Sequence, residues 1–345
     1  MRRRLFALVL GGAAFLAVMG ELATVIAPPQ INVRLIDEVR RHRAHPAQRP
    51  YITLGPSHAR AVSPEALGAP VLKLWTNGQS FAGSVRLAEI LTEDLSRSRG
   101  VLRLVSMTGL ALNPRSGEVV KRLTRIEHAL LRLEGMRGVA EQLPQAPDRL
   151  ARAMVLPVAR EDNWRQVGVR ILRALAPGAF PNGPIWFRET RADSAPFDPE
   201  MTRRRVHAHL VRLMAEGPDH RAMRPGLHDL LRLIAATERA RTCLVLVNSP
   251  VSSAYETAVL DARPDLVHWR DTLRAEIAEV RRRGACVHFL DGLWSREEAT
   301  NPRYYADSDH LNEVGGRLFT TRLATRLDAL QVEPPVPGAA PQDRE

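Results

Sequence analysis

Between residues 51 and 330 short apolar runs alternate with longer stretches in which apolar positions recur every three or four residues. Five short runs, at 51–54, 71–75, 101–105, 243–247 and 287–290, are too brief for helices. They stop at turn formers or polar residues such as Gly55 and Asn77-Gly78, which predicts buried strands. Between the last two, Leu273, Ile277 and Val280 share one face of a helix that starts near Asp271. That helix carries the basic run 281–283 in its last turn and stops at Gly284. Strand, helix, strand in that order predicts a parallel βαβ unit. A last helix begins at about Glu313, with Asn312 as its N-cap and the Glu313 carboxylate favourably placed in the first turn.

Residues 114–241 break the alternation. Stripes at Val119, Leu123, Ile126, Leu130 and Leu133, and at Leu227, Leu230, Leu231 and Ile234, predict amphipathic helices whose apolar faces pack as core. Such a helical insertion would cover the carboxyl edge of the sheet, where open α/β sheets take their ligands. The expected fold is therefore α/β, a three-layer α/β/α flavodoxin-like sandwich with a five-stranded parallel sheet and a helical insertion at about 114–241. The expected domain spans 51–330. A Pro-containing linker with a short helix at 31–43 precedes it over 28–50, and a disordered Pro-, Gly- and Ala-rich tail follows over 331–345.

The first 27 residues set the compartment. Arg2, Arg3 and Arg4 precede an uncharged run from Leu5 to Gly20, and after Glu21 apolar residues resume through Ala27 before Pro28 and Pro29. Both parts together reach the ~20 residues that a membrane-spanning helix needs. The arginines stay on the cytoplasmic side, which sends the following domain out of the cytoplasm. A retained single-pass anchor at 5–27 in the inner membrane is expected, with the domain in the periplasm or outside the cytoplasm. A cleaved signal peptide with Gly20 at the cleavage site is the alternative, and it exports the same domain.

Composition adjusts this picture only slightly. A hydrophobic fraction of 45% over 345 residues suffices for a core. The net charge of +11 is carried by arginine, Lys73 and Lys121 being the only lysines, as in chains from GC-rich genomes. The arginines are scattered in short runs such as 203–205, without a basic stripe interleaved with aromatics, so nucleic acid is excluded as the expected partner. Export places Cys243 and Cys286 in an oxidising compartment. If their strands are neighbours in register the sulfurs start close together, and either a bridge or two free thiols is compatible with that. No Cys or His spacing proposes a metal, nothing calls for a cofactor, and oligomeric state is not legible.

The chemistry sits at the two ends of the domain. The first strand runs into Gly55-Pro56-Ser57-His58, which puts a hydroxyl just past the carboxyl end of a buried strand. Near the last helix, Asp307-Ser308-Asp309-His310 sets a carboxylate three residues before a histidine. That spacing lets the carboxylate hold one ring nitrogen while the other faces a serine. Taken with Leu74-Trp-Thr-Asn-Gly-Gln-Ser80, Leu244-Val-Leu-Val-Asn-Ser-Pro250 with Tyr255, and Phe289-Leu-Asp291, these blocks resemble the SGNH (GDSL-like) hydrolase and acyltransferase superfamily, in particular its membrane-anchored bacterial members. The resemblance covers about 50–112 and 242–327.

The resemblance implies Ser57 as nucleophile, His310 as base, Asp307 as its orienter, and the amides of Ser57 and Gly78 as oxyanion donors. It implies a serine-dependent ester hydrolase or O-acyltransferase acting on an acylated glycan or lipid of the cell envelope. A non-catalytic carbohydrate-binding or assembly protein on the same fold is the alternative. Two positions depart from the family pattern. Pro56 replaces the usual aspartate before the serine, and no asparagine follows Val105-Ser106-Met107-Thr108, leaving Asn77, Asn113 and Asn248 as candidates for the missing donor.

Overall fold

The computed structural model describes residues 30–45, 48–76, 78–110, 198–210 and 224–330. The expected span at 5–27, the stripe at 119–133, the tail, Asn77 and Asn113 lie outside them. Among the described residues no helix is long and apolar enough to cross a membrane. The chain divides into two compact units. The first, residues 1–36 and 127–190, is described only where helix α1 (Gln30–Ala44) begins. The second, residues 37–126 and 191–345, contains the sheet and the candidate site.

That sheet has strands β1 (Tyr51–Leu54), β2 (Val71–Lys73), β3 (Gly100–Val105), β4 (Leu244–Asn248) and β5 (Val287–Leu290), all parallel in the order β2-β1-β3-β4-β5. Flanking it are α2 (Phe81–Ile90), α3 (Pro199–Leu210), α4 (Arg224–Arg239), α5 (Ser253–Ala262), α6 (Trp269–Arg282) and α7 (Glu313–Ala329). The result is the three-layer α/β/α, flavodoxin-like sandwich.

Side chains alternate across the sheet. Leu102, Leu104, Val245 and Val247 pack with Phe319, Leu323 and Leu327 of α7 on one face. Ile52, Leu54, Val101, Leu244 and Leu246 alternate with them and are fully buried toward the other, where α2 packs against α4. Helices on both faces explain why the strands are mostly apolar on both sides, with Thr53 and Arg103 as buried exceptions.

Several details differ from expectation. β2 stops at Lys73, although Leu74 N and Thr76 N still donate to Thr53 O (2.9 Å) and Gly55 O (3.1 Å) alongside the end of β1. In α4 only part of the expected stripe is core: Leu230 and Ile234 are buried, whereas Leu231 is 42% exposed. α6 starts two residues early, at Trp269. α7 starts as expected, with Asn312 Oδ1 accepting from Gly315 N at 3.0 Å. Gly315 leaves no room for a Cβ against the Tyr304 carbonyl, so this helix can press onto the loop that precedes it.

Cys243 and Cys286 stand one residue before β4 and β5 and are joined in a disulfide, their Cα atoms 4.8 Å apart. At the opposite ends of the same strands Asn248 Nδ2 donates to Asp291 Oδ1 at 2.8 Å. β4 and β5 are thus tied at both ends.

Candidate functional site

β1 delivers the serine. After Leu54 the chain passes through Gly55 at φ +128°, where a Cβ would lie 2.7 Å from Arg103 Nη1 and 2.9 Å from Leu104 O, so glycine alone fits. Ser57 then opens a 3-10 turn, Ser57–Ala61, capped by extended Pro56. The polar anchor beneath this turn comes from the glycine block. Gln79, 1% exposed, accepts from Gly55 N (2.6 Å) and Ser84 Oγ (3.0 Å) through Oε1 and donates to Leu74 O (2.9 Å) through Nε2. Arg103 is also 1% exposed. It donates to Gln79 O at 3.0 Å and to Leu104 O, lies 4.5 Å from the Phe81 ring centroid, and is held down to about 9 by burial. Gln79 and Arg103 therefore fasten the ends of β1, β2 and β3 to one another.

The loop before α7 delivers the histidine. Tyr305 and Leu311 pair as an isolated antiparallel bridge, and Ala306 N donates to His310 O at 2.9 Å, so residues 307–309 form a closed turn. Within it Asp307 Oδ1 accepts the backbone N–H groups of Asp309 (3.1 Å) and His310 (2.8 Å), which fixes the carboxylate. His310 Nδ1 lies 3.0 and 3.1 Å from the two Asp307 oxygens, and His310 Nε2 lies 2.6 Å from Ser57 Oγ. With Nδ1–H donated to Asp307, Nε2 accepts from the serine hydroxyl. The three expected residues are brought together, from chain positions 253 residues apart.

Three further side chains surround them. Asp309, 1% exposed, places Oδ1 at 3.4 Å from His310 Nδ1. Arg205 of α3 pairs through Nε with Asp309, and its Nη2 is 3.1 Å from Asp307 Oδ2 and 2.9 Å from His310 Nδ1. His58 stacks on His310 with ring centroids 4.9 Å apart and planes 22° from parallel, its Nε2 3.8 Å from Asp309 Oδ2. Burial opposes charge on His58, Asp309 and His310. For His310 burial is outweighed by the Asp309 charge and by bonds to Asp307 and Asp309, which raise it to about 9. His58 is lowered to about 3, first by burial and then by the charge on His310. Asp309, despite burial, is held well below the usual carboxylate range by His310, Arg205 and His58. Ligand atoms of His58, Asp309 and His310 lie within 4.8 Å of one another. Arg205 already neutralises Asp309, and both His310 nitrogens are engaged, so the set suits an ion-paired network better than a cation.

Gly78 sits at φ 59° in the turn closed by Gln79 N to Thr76 O at 3.1 Å. Among the described residues no backbone carbonyl takes the amide of Ser57 or Gly78. Asn248 gives one of its two Nδ2 hydrogens to Asp291. In the third block Ser106 Oγ and Thr108 Oγ1 stand 3.3 Å apart where an asparagine was sought.

Sequence reasoning did not assign roles to Gln79, His58, Asp309 or Arg205. His58 and Asp309 are chain neighbours of the chosen residues, a signal that was present. Arg205 was hidden in a run, 203–205, whose first two members are exposed. Compared with known proteins, the chain matches no family model and no curated protein.

Proposed function

We propose that this chain is an SGNH-type, serine-dependent ester hydrolase or O-acyltransferase acting on an acylated glycan or lipid of the cell envelope, tethered by its N-terminal helix at the outer face of the inner membrane. The observation that carries the reading is the 2.6 Å approach of Ser57 Oγ to His310 Nε2, with Asp307 on the other ring nitrogen. His310 takes the hydroxyl proton as Ser57 attacks the acyl carbonyl, and the amides of Ser57 and Gly78 receive the oxyanion. The acyl group passes to the serine and the alcohol leaves with the proton from His310. Water or a sugar hydroxyl, deprotonated by the same imidazole, then takes the acyl group. A small cleft at the carboxyl ends of β3 and β4, lined by Asn248, Tyr255, Arg270 and Trp294 among others, opens on the same edge of the sheet as the serine.

The test is labelling of the full chain by a fluorophosphonate probe. Ser57→Ala should abolish labelling without unfolding the protein, and Asp307→Asn should slow it less than His310→Ala, since the base itself remains. Undiminished labelling of Ser57→Ala would overturn the reading. One observation favours the second reading, a non-catalytic binding or assembly protein on this fold: Asp307 and Asp309 stand 3.0 and 3.4 Å from His310 Nδ1 and favour its charged form, which cannot take the serine proton. That reading gains ground if the wild-type chain fails to label at any pH up to about 10.

A further inference from the structure

Two carboxylates compete for one imidazole nitrogen. Asp307 stands 3.0 Å and Asp309 3.4 Å from His310 Nδ1. A ring swung toward Asp309 would carry Nε2 off Ser57, and two neighbouring negative charges, one of them fully buried, are costly without a counter-charge. The arginine that meets both is supplied from the insertion. Arg205 Nε engages Asp309 Oδ1, the oxygen nearer the imidazole, while Nη2 lies 3.1 Å from Asp307 Oδ2 and 2.9 Å from His310 Nδ1. Its helix is fastened in place: α3 packs on α5, and His209, one turn beyond Arg205, places Nδ1 2.6 Å from Tyr255 Oη.

Resting on the reading of Ser57 and His310 as nucleophile and base, we propose that Arg205 is a positioning residue. It occupies Asp309 so that Asp307 alone orients the imidazole, and it makes a helix of the insertion a working part of the site. The charged and titratable groups facing His310 are Asp307 and Asp309 from its own loop, His58 from the turn after β1, and Arg205 from α3, with His209 and Tyr255 behind them. Arg205 is the fixed cation in this group. Its positive charge disfavours the imidazolium, and the charge on Asp309 favours it. Removal of Arg205 therefore raises the pH at which His310 loses its proton, and neutralising Asp309 lowers it.

The experiment follows the His310 ring by 13C NMR during pH titration of the full chain, assigned with His310→Ala, alongside the pH profile of fluorophosphonate labelling. Arg205→Ala should move the His310 midpoint upward by about one pH unit, so that labelling at pH 7 falls about tenfold. Asp309→Asn should move it downward. Arg205→Lys keeps the charge without the fork, so it should hold the midpoint near the wild-type value while labelling still slows. Should Arg205→Ala not fold, the Arg205→Lys and Asp309→Asn titrations decide. An unmoved midpoint in Arg205→Ala, or unslowed labelling in Arg205→Lys, would overturn the assignment, and so would an unmoved midpoint in Asp309→Asn. The titration reads the ring without turnover, so a chain that never labels but shows these shifts refutes the acyl-transfer reading alone.

Discussion

Gln79→Met removes the polar anchor beneath Ser57 at nearly constant volume. The amide makes three buried bonds, from Gly55 N at 2.6 Å, to Leu74 O at 2.9 Å and from Ser84 Oγ at 3.0 Å, all lost in the variant. At ~1 to 1.5 kcal/mol net for each, the loss is about 3 to 4.5 kcal/mol, and the stranded Gly55 N–H keeps it toward the upper end. Urea unfolding measures it as a lowered midpoint at unchanged slope. A second effect is chemical. Gly55 lies two residues before the serine, and Arg103 crowds it from below, so a turn released from Gln79 drifts away from His310. A displacement of ~1 Å costs on the order of a hundredfold in rate. Probe labelling of folded protein at low urea should fall accordingly. A stability loss under ~1 kcal/mol together with unchanged labelling would refute the claim that Gln79 organises the nucleophile turn.

Reduction of Cys243–Cys286, which closes a loop of 43 residues, should lower stability by about 4 kcal/mol on the chain-entropy account, read as the difference between urea midpoints with and without reductant. A difference below ~1 kcal/mol would place the bridge outside the cooperative unit. For topology, a reporter fused after residue 50 should be active only outside the cytoplasm, and cytoplasmic activity would overturn the anchor.

The strands, the last helix and the two ends of the site were readable from the chain because each rests on a local signal. Tyr51 to Leu54 stops at a glycine that no other residue could replace, and Asn312 caps α7 through its own side chain three residues on. Asp307 and His310 share one turn, so their spacing alone carries their geometry. What escaped depends on contacts between distant segments. Arg205 and Asp309 are 104 positions apart, and nothing beside Arg205 in sequence distinguishes it from its exposed neighbours. Gln79 was visible as part of a block, yet its partners Gly55 and Leu74 become neighbours only when β2 pairs with β1. Leu231 lies at the edge of a buried face that runs through Leu230, Leu233, Ile234 and Thr237.

The double tie between β4 and β5 bears on more than unfolding. β5 is one of the two edge strands, and beyond Val287 its residues are only half buried, so among the described residues no strand pairs with its outer edge. A strand that frays can swing out and template pairing with a foreign strand, whereas one riveted at both ends cannot. The redox state of two cysteines at the far end of the sheet thus becomes a guard against aggregation. Chain made where thiols stay reduced should be the more adhesive form, even when its site is correctly assembled.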